Sequence, residues 1–267
     1  MSQTTNEAGS DVLPEGYEDV PHTLIRLKPR RRAIARNLTV ASQIPALTAD
    51  VQIDLTELLK ARAEWNGAAG RAPEERLSVM AFMAKAALSA LGEFPQLNAT
   101  YTERQLIQWE TVNLAVAVDA PGGLVVPVIR DAQTLGVQAI GGHVRDLALR
   151  ARDGKLELTE MQGGTFTLSN PGAVGPSLRA EALLNPPQVA LLGFPGLRRI
   201  PIVVGSGENE SVEIRTVLCP SLTFDHRALD GGEVIRYLTA LASRAESWKL
   251  DDYLAEQPAG QGQDSAS

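Results

Sequence analysis

The β-rich second half of the chain is the feature that most constrains its fold. Five apolar segments follow one another there, each bounded by turn-forming residues, and they predict strands. An Asp-Gly-Gly-Glu sequence then introduces an amphipathic pattern, which predicts a closing helix over 231–247. Residues 23–249 contain no repeat and no linker-like stretch, so we predict one mixed α/β domain. The predicted strands are 164–169, 187–194, 200–204, 211–217 and 218–225.

The first half of the chain predicts helices separated by shorter strands. Asp54 and Glu57 have the spacing of a capping box at the start of one of these helices. Pro127 interrupts a predicted strand, and because proline has no amide donor, that strand should lie at the edge of its sheet or form a bulge there. The predicted helices are about 30–38, 55–65, 76–93 and 137–152, and the predicted strands are 47–54, 111–118 and 123–129.

The ends of the chain carry its excess of negative charge. Acidic residues outnumber basic ones by 32 to 25, and residues 1–22 and 250–267 contain acids but no Lys or Arg. We therefore predict a flexible acidic leader over 1–22 and a flexible polar tail over 250–267. The domain between them, 23–249, is close to neutral. A nucleic-acid-binding protein would concentrate positive charge, so we expect no nucleic-acid partner.

Membrane, secretion and metal signals are weak. The longest uninterrupted apolar run, 79–84, is too short to span a bilayer, and the N-terminus lacks the apolar segment of a secretory signal. The single Cys219 can form no internal disulfide, and the three histidines stand in different contexts. We expect a cytoplasmic protein with no membrane partner and no metal site.

A histidine follows the predicted strand 218–225. His226 lies between Asp225 and Arg227, and Asp230 follows four residues later. A neutral imidazole at the end of a strand can remove a proton near neutral pH. A purely structural histidine is nevertheless the more frequent case, and Asp230 would also cap the closing helix without any chemistry. The residues alone leave both interpretations open.

Another predicted strand, 164–169, ends in the hydroxyl of Ser169, and the amide of Asn170 and a glycine-rich turn come next. Ser169 could donate a hydrogen bond to an oxyanion. Alternatively, Ser169 and Asn170 could simply initiate the glycine-rich turn through bonds to the backbone. The chain has no G-x-S-x-G sequence, which disfavours a serine nucleophile of the hydrolase type.

Taken together, these segments closely resemble the catalytic domain of the dihydrolipoamide acyltransferases of 2-oxo acid dehydrogenase complexes. The resemblance covers about 23–247 and implies a chloramphenicol-acetyltransferase-like fold. This is an α/β (α+β) two-layer sandwich with a mixed β-sheet flanked by helices, assembled as a homotrimer with active sites between subunits. The motifs are Arg31-Arg32-Ala33-Ile34-Ala35, Phe94-Pro95-x-Leu97-Asn98-Ala99, Gly123-Leu124-Val125-Val126-Pro127, Gly163-Gly164-Thr165-Phe166-Thr167-Leu168-Ser169-Asn170-x-Gly172, Asn185-Pro186-Pro187-Gln188 and Phe224-Asp225-His226-Arg227-x-x-Asp230-Gly231.

The resemblance also implies the roles of the site residues. His226 would be the general base, and Ser169 would hydrogen-bond the tetrahedral oxyanion. Asp230 would support the His226 loop by pairing with an arginine, for which Arg31 is our candidate. Asn170 and Gly172 would support the turn beside Ser169. The implied acyl donor is acetyl-CoA, the acceptor is a small molecule, and no metal takes part.

Three functions are compatible with this resemblance. None of the lysines stands in the Asp-Lys-Ala setting of a lipoylated residue, so we expect no covalent lipoyl group on this chain. We expect first a standalone O-acetyltransferase acting on a small hydroxylated metabolite, for example a tetronate intermediate in antibiotic biosynthesis. The alternatives are a dihydrolipoamide acyltransferase core that uses lipoyl groups in trans, and a non-catalytic scaffold subunit.

Two departures from the family pattern lead to further expectations. The polar C-terminal residues favour a free trimer over a larger cage. Pro171 stands where the family usually has Leu or Ile, and because proline fixes φ, the turn beside Ser169 should present a reshaped pocket.

Overall fold

The computed structural model describes residues 13–67, 72, 75–121 and 123–249. Most of the predicted leader, 1–12, and the predicted tail, 250–267, lie outside these residues. None of the helices in the described ranges combines the length and hydropathy needed to cross a bilayer. The helices are α1 (Pro29–Ala41), α2 (Thr56–Gly67), α3 (Val79–Leu91), α4 (Val137–Arg152) and α5 (Gly231–Ser247). The strands are β1 (Ala46–Asp50), β2 (Ile53–Asp54), β3 (Ala99–Tyr101), β4 (Leu106–Gln108), β5 (Leu114–Val116), β6 (Val128–Ile129), β7 (Phe166–Ser169), β8 (Ala190–Gly193), β9 (Arg198–Val204), β10 (Ser211–Leu218) and β11 (Ser221–Asp225).

A six-stranded mixed sheet forms the centre of the domain. Its strand order is β1-β11-β8-β7-β5-β6. Strand β7 runs parallel to both β8 and β5, whereas β11 runs antiparallel to β8 and to β1. A three-stranded sheet of β2, β10 and β9 and a hairpin of β3 and β4 contain the other strands of the described residues. The predicted mixed sheet with flanking helices is confirmed.

The two faces of the central sheet differ because side chains alternate along each strand. On β7, Phe166 and Leu168 belong to the hydrophobic core formed with α3, α4 and α5. Phe166 packs edge-on against Tyr237 of α5, with 6.4 Å between ring centroids. Thr167 and Ser169 alternate with these residues and therefore lie on the opposite face, over which α1 passes. The apolar face anchors the sheet on the helices, and the other face remains available for polar groups.

Side-chain caps are present at the starts of two helices, α3 and α5. Ser78 caps α3, its Oγ accepting from the Ala81 amide at 3.1 Å. The predicted capping box of Asp230 and Glu233 is present at the start of α5. Each cap of this kind typically stabilises a helix by about 1 kcal/mol.

The predicted capping box at Asp54 is wrong. The Asp54 carboxylate accepts from the Thr56 amide, and the Asp54 amide donates to Glu246 of α5, both at 2.9 Å. Glu57 instead pairs with Lys60 on the exposed face of α2. Because α5 packs beside β2, a carboxylate distant in sequence occupies the position that the sequence pattern gave to Glu57.

The strands predicted in the first half are present but shorter than predicted, and β3 and β4 were not predicted. The predicted strand 47–54 divides into β1 and β2, which join different sheets. Pro127 immediately precedes β6, the outermost strand of the central sheet, as predicted. The Pro127 carbonyl accepts from the Val116 amide at 2.8 Å, so this edge position uses the acceptor that proline has and needs no donor.

Candidate active site

The turn that carries His226 is fixed by backbone hydrogen bonds. His226 is exposed and directly follows β11, and its amide donates to the Pro45 carbonyl at 3.0 Å. The amides of Ala228 and Leu229 both donate to the Asp225 carbonyl, and the Leu229 side chain is buried in the core. The imidazole therefore projects from a turn that is anchored on both sides.

The two residues that flank His226, Asp225 and Arg227, form an ion pair with each other. The Asp225 side chain is buried, and its two oxygens accept from Arg227 Nε at 2.9 Å and from a terminal Arg227 nitrogen at 2.7 Å. This hydrogen-bonded carboxylate raises the pKa of the Arg227 guanidinium above its usual value. The same guanidinium lies 4.5 Å from the centre of the Tyr101 ring, a cation–π contact. The pair thus holds the backbone on both sides of the histidine.

Asp230 is held by its own helix. Its amide donates to Glu233 Oε2 at 3.2 Å as part of the capping box. Among the described residues of this single chain, Asp230 makes no ion pair with Arg31, the partner predicted for it.

The turn that carries Ser169 depends on close backbone packing. The Ser169 carbonyl accepts from the Phe194 amide at 2.8 Å, and the Gly172 amide donates back to the Phe194 carbonyl at 3.1 Å. A Cβ atom on Gly172 would lie 2.3 Å from the Pro195 carbonyl oxygen, so only glycine fits there. Pro171 and Asn170 begin the short 3₁₀ turn that brings this glycine into place.

Ser169 lines a cavity of about 330 Å³ on the polar face of the sheet. Helix α1 forms one wall of this cavity, and residues 182–185 form another. The lining is mostly apolar, and the exceptions are Asn37, Thr167, Ser169 and Asn185. A largely apolar cleft with a few polar groups is typical of a site for a small ligand.

Thr167 and Asn185 belong to a hydrogen-bond network that the sequence did not single out. The Thr167 hydroxyl donates to Gln188 Oε1 at 2.5 Å, and Asn185 Nδ2 donates to Thr167 Oγ1 at 3.4 Å. The signal available in the sequence was weak. Thr167 precedes Ser169 by two residues, which places both on one face of β7, and Asn185 opens one of the family motifs.

The strand register separates His226 from Ser169 in a single chain. Ser169 pairs with Gly193 of β8, and Gly193 pairs with Ser221 at the start of β11. Ser169 is therefore level with the beginning of β11, whereas His226 follows its end. Five strand residues correspond to about 17 Å, and two strand spacings add about 10 Å sideways. One chain does not bring the predicted base and the predicted oxyanion donor together.

Arg31 and Asp230 are separated in the same way. Helix α1 crosses the polar face of the sheet, and near its start Arg30 donates to the carbonyls of Pro121 and Gly123 at 3.3 Å and 2.8 Å. These two carbonyls follow β5, at the same end of the sheet as Ser169. After α1 the chain continues to Pro45, whose carbonyl accepts from the His226 amide at the opposite end of the sheet. Arg31 therefore lies at the Ser169 end and Asp230 at the His226 end.

The described part of the chain holds no group of three or more His, Cys, Asp or Glu side chains arranged to bind a metal ion.

Comparison with known proteins finds a family model that matches residues 20–250, the catalytic domain of 2-oxoacid dehydrogenases acyltransferase. The dihydrolipoyllysine-residue succinyltransferase component of the 2-oxoglutarate dehydrogenase complex of Bacillus subtilis is 35% identical over 229 residues, covering 85% of this chain and 54% of that protein. The dihydrolipoyllysine-residue acetyltransferase component of the pyruvate dehydrogenase complex of Zymomonas mobilis is 33% identical over 246 residues, covering 92% of this chain and 54% of that protein. The chain thus spans about half the length of these curated relatives.

A solved structure supports the fold. The dihydrolipoamide acetyltransferase of Azotobacter vinelandii, studied for the catalytic roles of a serine, a histidine and an asparagine, superposes with a TM-score of 0.82. Its sequence is 26% identical, and the match covers 92% of this chain and 99% of that one.

Proposed function

Because the chain belongs to the 2-oxoacid dehydrogenase acyltransferase catalytic-domain family, we propose that it transfers an acyl group between the thiols of CoA and of a dihydrolipoyl group supplied in trans. The named relatives act on dihydrolipoyllysine residues, which supports this alternative over the expected O-acetylation of a hydroxylated metabolite. The presence of both His226 and Ser169 weighs against a non-catalytic scaffold.

The observation that carries the proposal is the placement of His226 and Ser169 at opposite ends of one sheet. A subunit interface that joins the His226 end of one copy to the Ser169 end of the next completes a site. Such a head-to-tail interface closes into a ring when the rotation between copies is right. We expect a trimer with three sites, each shared by two neighbours.

The same interface would pair Arg31 with Asp230. Arg31 lies at the Ser169 end and Asp230 at the His226 end, so both pairs meet when these ends face each other. The role predicted for Arg31 thus becomes an ion pair between two copies, and the capping box at Asp230 is compatible with it.

At such a site the imidazole of His226 removes the proton from the attacking thiol. The resulting thiolate attacks the thioester carbonyl carbon and forms a C–S bond, and the carbonyl electrons move to the oxygen. Ser169 donates a hydrogen bond to this oxyanion. The carbonyl then re-forms, the original C–S bond breaks, and the departing thiolate takes the proton back from the imidazolium. No external oxidant or reductant is needed, and the reaction is reversible.

The test is acyl transfer by the purified protein with acetyl-CoA or succinyl-CoA and dihydrolipoamide, compared with hydroxylated acceptors. We expect acyl-dihydrolipoamide to form. His226→Ala should lower turnover by roughly 10²–10⁴-fold. Ser169→Ala should lower it by about 10²-fold or more, as for the loss of one oxyanion donor. Transfer to hydroxyls only, or full turnover by folded His226→Ala protein, would contradict the proposal.

A further inference from the structure

A hydrogen bond between a side chain and the backbone forms a small ring around His226. The amide of Arg227 donates to Asp225 Oδ1 at 3.0 Å, so His226 is the residue between the two bonded partners. Aspartates commonly form turns of this kind. The imidazole of His226 lies 5.4 Å from the ring of the buried Phe224, measured between ring centroids. The backbone that carries the imidazole therefore depends on the orientation of the Asp225 carboxylate.

The orientation of this carboxylate depends on one guanidinium. In the part of the chain that the structure describes, every hydrogen bond to the Asp225 side chain comes from Arg227. The Asp225 side chain is 3% exposed, whereas the Arg227 side chain is 43% exposed. Water can reach the guanidinium and compete for its donors, and pairs that water reaches are held weakly. A further contact that holds the guanidinium keeps the turn in one conformation.

The ring of Tyr101 supplies this contact. The centre of the Arg227 guanidinium lies 4.5 Å from the centroid of the Tyr101 ring, within the range of a cation–π interaction. A flat guanidinium can direct its donors to a carboxylate and its face to an aromatic ring at the same time, which an ammonium group cannot do. Tyr101 is half-buried and packs against the hydrophobic core. Its ring is therefore a fixed surface for the guanidinium.

The backbone beside Tyr101 is also joined to the His226 turn. Tyr101 is the last residue of β3, which pairs with β4 in a hairpin. The carbonyl of Ala99, the first residue of β3, accepts from the Val189 amide at 3.3 Å. The Val189 carbonyl accepts from the Asp225 amide at 2.9 Å. The hairpin is thus connected through one residue to the residue that precedes His226.

We infer that Tyr101 is a positioning residue for His226 and acts through the Arg227 guanidinium and the Asp225 carboxylate. This inference rests on the proposed function, and it adds a residue from outside the motifs that carry the family resemblance. The role belongs to the aromatic face of Tyr101 and not to its hydroxyl, because the guanidinium lies over the ring.

Two substitutions of Tyr101 test this role. Tyr101→Leu keeps an apolar side chain but removes the aromatic face. It should lower kcat for acyl transfer to dihydrolipoamide about tenfold and leave both KM values unchanged, because a slightly misplaced base slows the reaction without weakening binding. Tyr101→Phe keeps the aromatic face and should retain the wild-type kcat. Trp109→Leu is the matched control, since Trp109 Nε1 donates to Thr100 of the same hairpin at 3.2 Å, and it should also retain the wild-type kcat.

A double substitution shows whether Tyr101 acts through Arg227. Arg227→Met should lower kcat at least as much as Tyr101→Leu does. Combining the two should cause no further loss, because the ring then has no guanidinium to hold. A residue that only stabilises the hairpin would instead add its effect to that of Arg227→Met. If Tyr101→Leu does not fold, Arg227→Lys gives a second measurement, since it keeps the charge without the flat face and should lower kcat about tenfold.

The nuclear magnetic resonance signal of the His226 ring gives a readout that does not require turnover. In protein containing isotope-labelled histidine, this signal is identified by its absence from His226→Ala protein. It should shift or broaden in Tyr101→Leu. It should stay unchanged in Tyr101→Phe and in Trp109→Leu.

Three results would overturn the inference. These are a wild-type kcat in folded Tyr101→Leu protein, an equal loss in Tyr101→Leu and Tyr101→Phe, and additive losses in the double variant. Failure of the proposed function is a different outcome. In that case the wild type would transfer no acyl group to dihydrolipoamide, while the His226 signal would still respond to Tyr101→Leu and not to Trp109→Leu.

Discussion

Mixed assemblies of two inactive variants provide the sharpest test of a site shared between subunits. His226→Ala subunits keep Ser169, and Ser169→Ala subunits keep His226. When the two variants are co-expressed with different affinity tags and purified on both, every recovered trimer contains both kinds of subunit. In a head-to-tail ring of either composition, one interface joins an intact His226 end to an intact Ser169 end. Mixed trimers should therefore show about one third of the wild-type activity.

The predicted one third of wild-type activity distinguishes a shared site from a site within one subunit. Within one chain the two ends of the sheet are offset by about 17 Å along the strands, so no single subunit can form a complete site. Trimers of Ser169→Ala alone should retain about 1% of the activity, and trimers of His226→Ala about 1% or less. A shared site thus raises the activity of the mixture by at least tenfold over both parents.

The assay is acyl transfer from acetyl-CoA to dihydrolipoamide, followed by chromatography of the thioester product. Wild-type subunits carrying both tags, purified in the same way, give the reference activity. The reasoning would be refuted if doubly purified mixed trimers were no more active than the two parents, since each site would then lie within one subunit.

Three further changes test other parts of the structure. Gly172→Ala should displace the turn beside Ser169 and lower turnover at least about tenfold, because a small misplacement of a catalytic group is costly. Gly175→Ala, which has open space around its Cβ position, should keep its activity. Arg227→Met should lower the free energy of unfolding in urea by about 1–3 kcal/mol, because the buried Asp225 carboxylate loses its charged partner and keeps only the Arg227 amide as a donor; an unchanged urea midpoint would contradict this. Burial raises the pKa of Tyr237 far above its usual value, so the folded state keeps a proton that the unfolded chain loses near about pH 10. Stability should therefore fall as the pH rises above that value, and Tyr237→Phe should make the fall shallower in urea titrations at alkaline pH.

Local sequence signals predicted the helices well because their caps and periodicity lie within a few residues. Helix α4 matches the predicted 137–152, and α5 begins at its predicted capping box. The failure at Asp54 has the opposite cause. Its amide donates to Glu246, which is distant in sequence. A local sequence pattern cannot indicate that such a distant carboxylate lies next to Asp54 after folding.

The candidate site was predictable in its residues but not in its geometry. Motif resemblance named His226 and Ser169, and the structure places Ser169 at the last position of β7 and His226 directly after β11. Their separation depends on the direction and register of β11 relative to β7, which are set by pairing between strands far apart in the chain. The resemblance placed active sites between subunits, and the strand register supplies a physical reason for that arrangement.

The side-chain hydrogen-bond networks around the site could not be predicted from the sequence either. The adjacency of Asp225 and Arg227 suggested charge near the histidine but not a buried carboxylate bound at both oxygens. Thr167 resembled an ordinary strand threonine, and only the folded arrangement shows that its proton is committed and thereby orients Asn185.

The antiparallel course of β11 has a consequence for how damage spreads in the proposed trimer. Each copy would contribute His226 to the site shared with one neighbour and Ser169 to the site shared with the other. A copy without both residues would therefore inactivate two of the three sites of its trimer and leave one intact. A given fraction of defective chains would thus lower the total activity by more than that fraction.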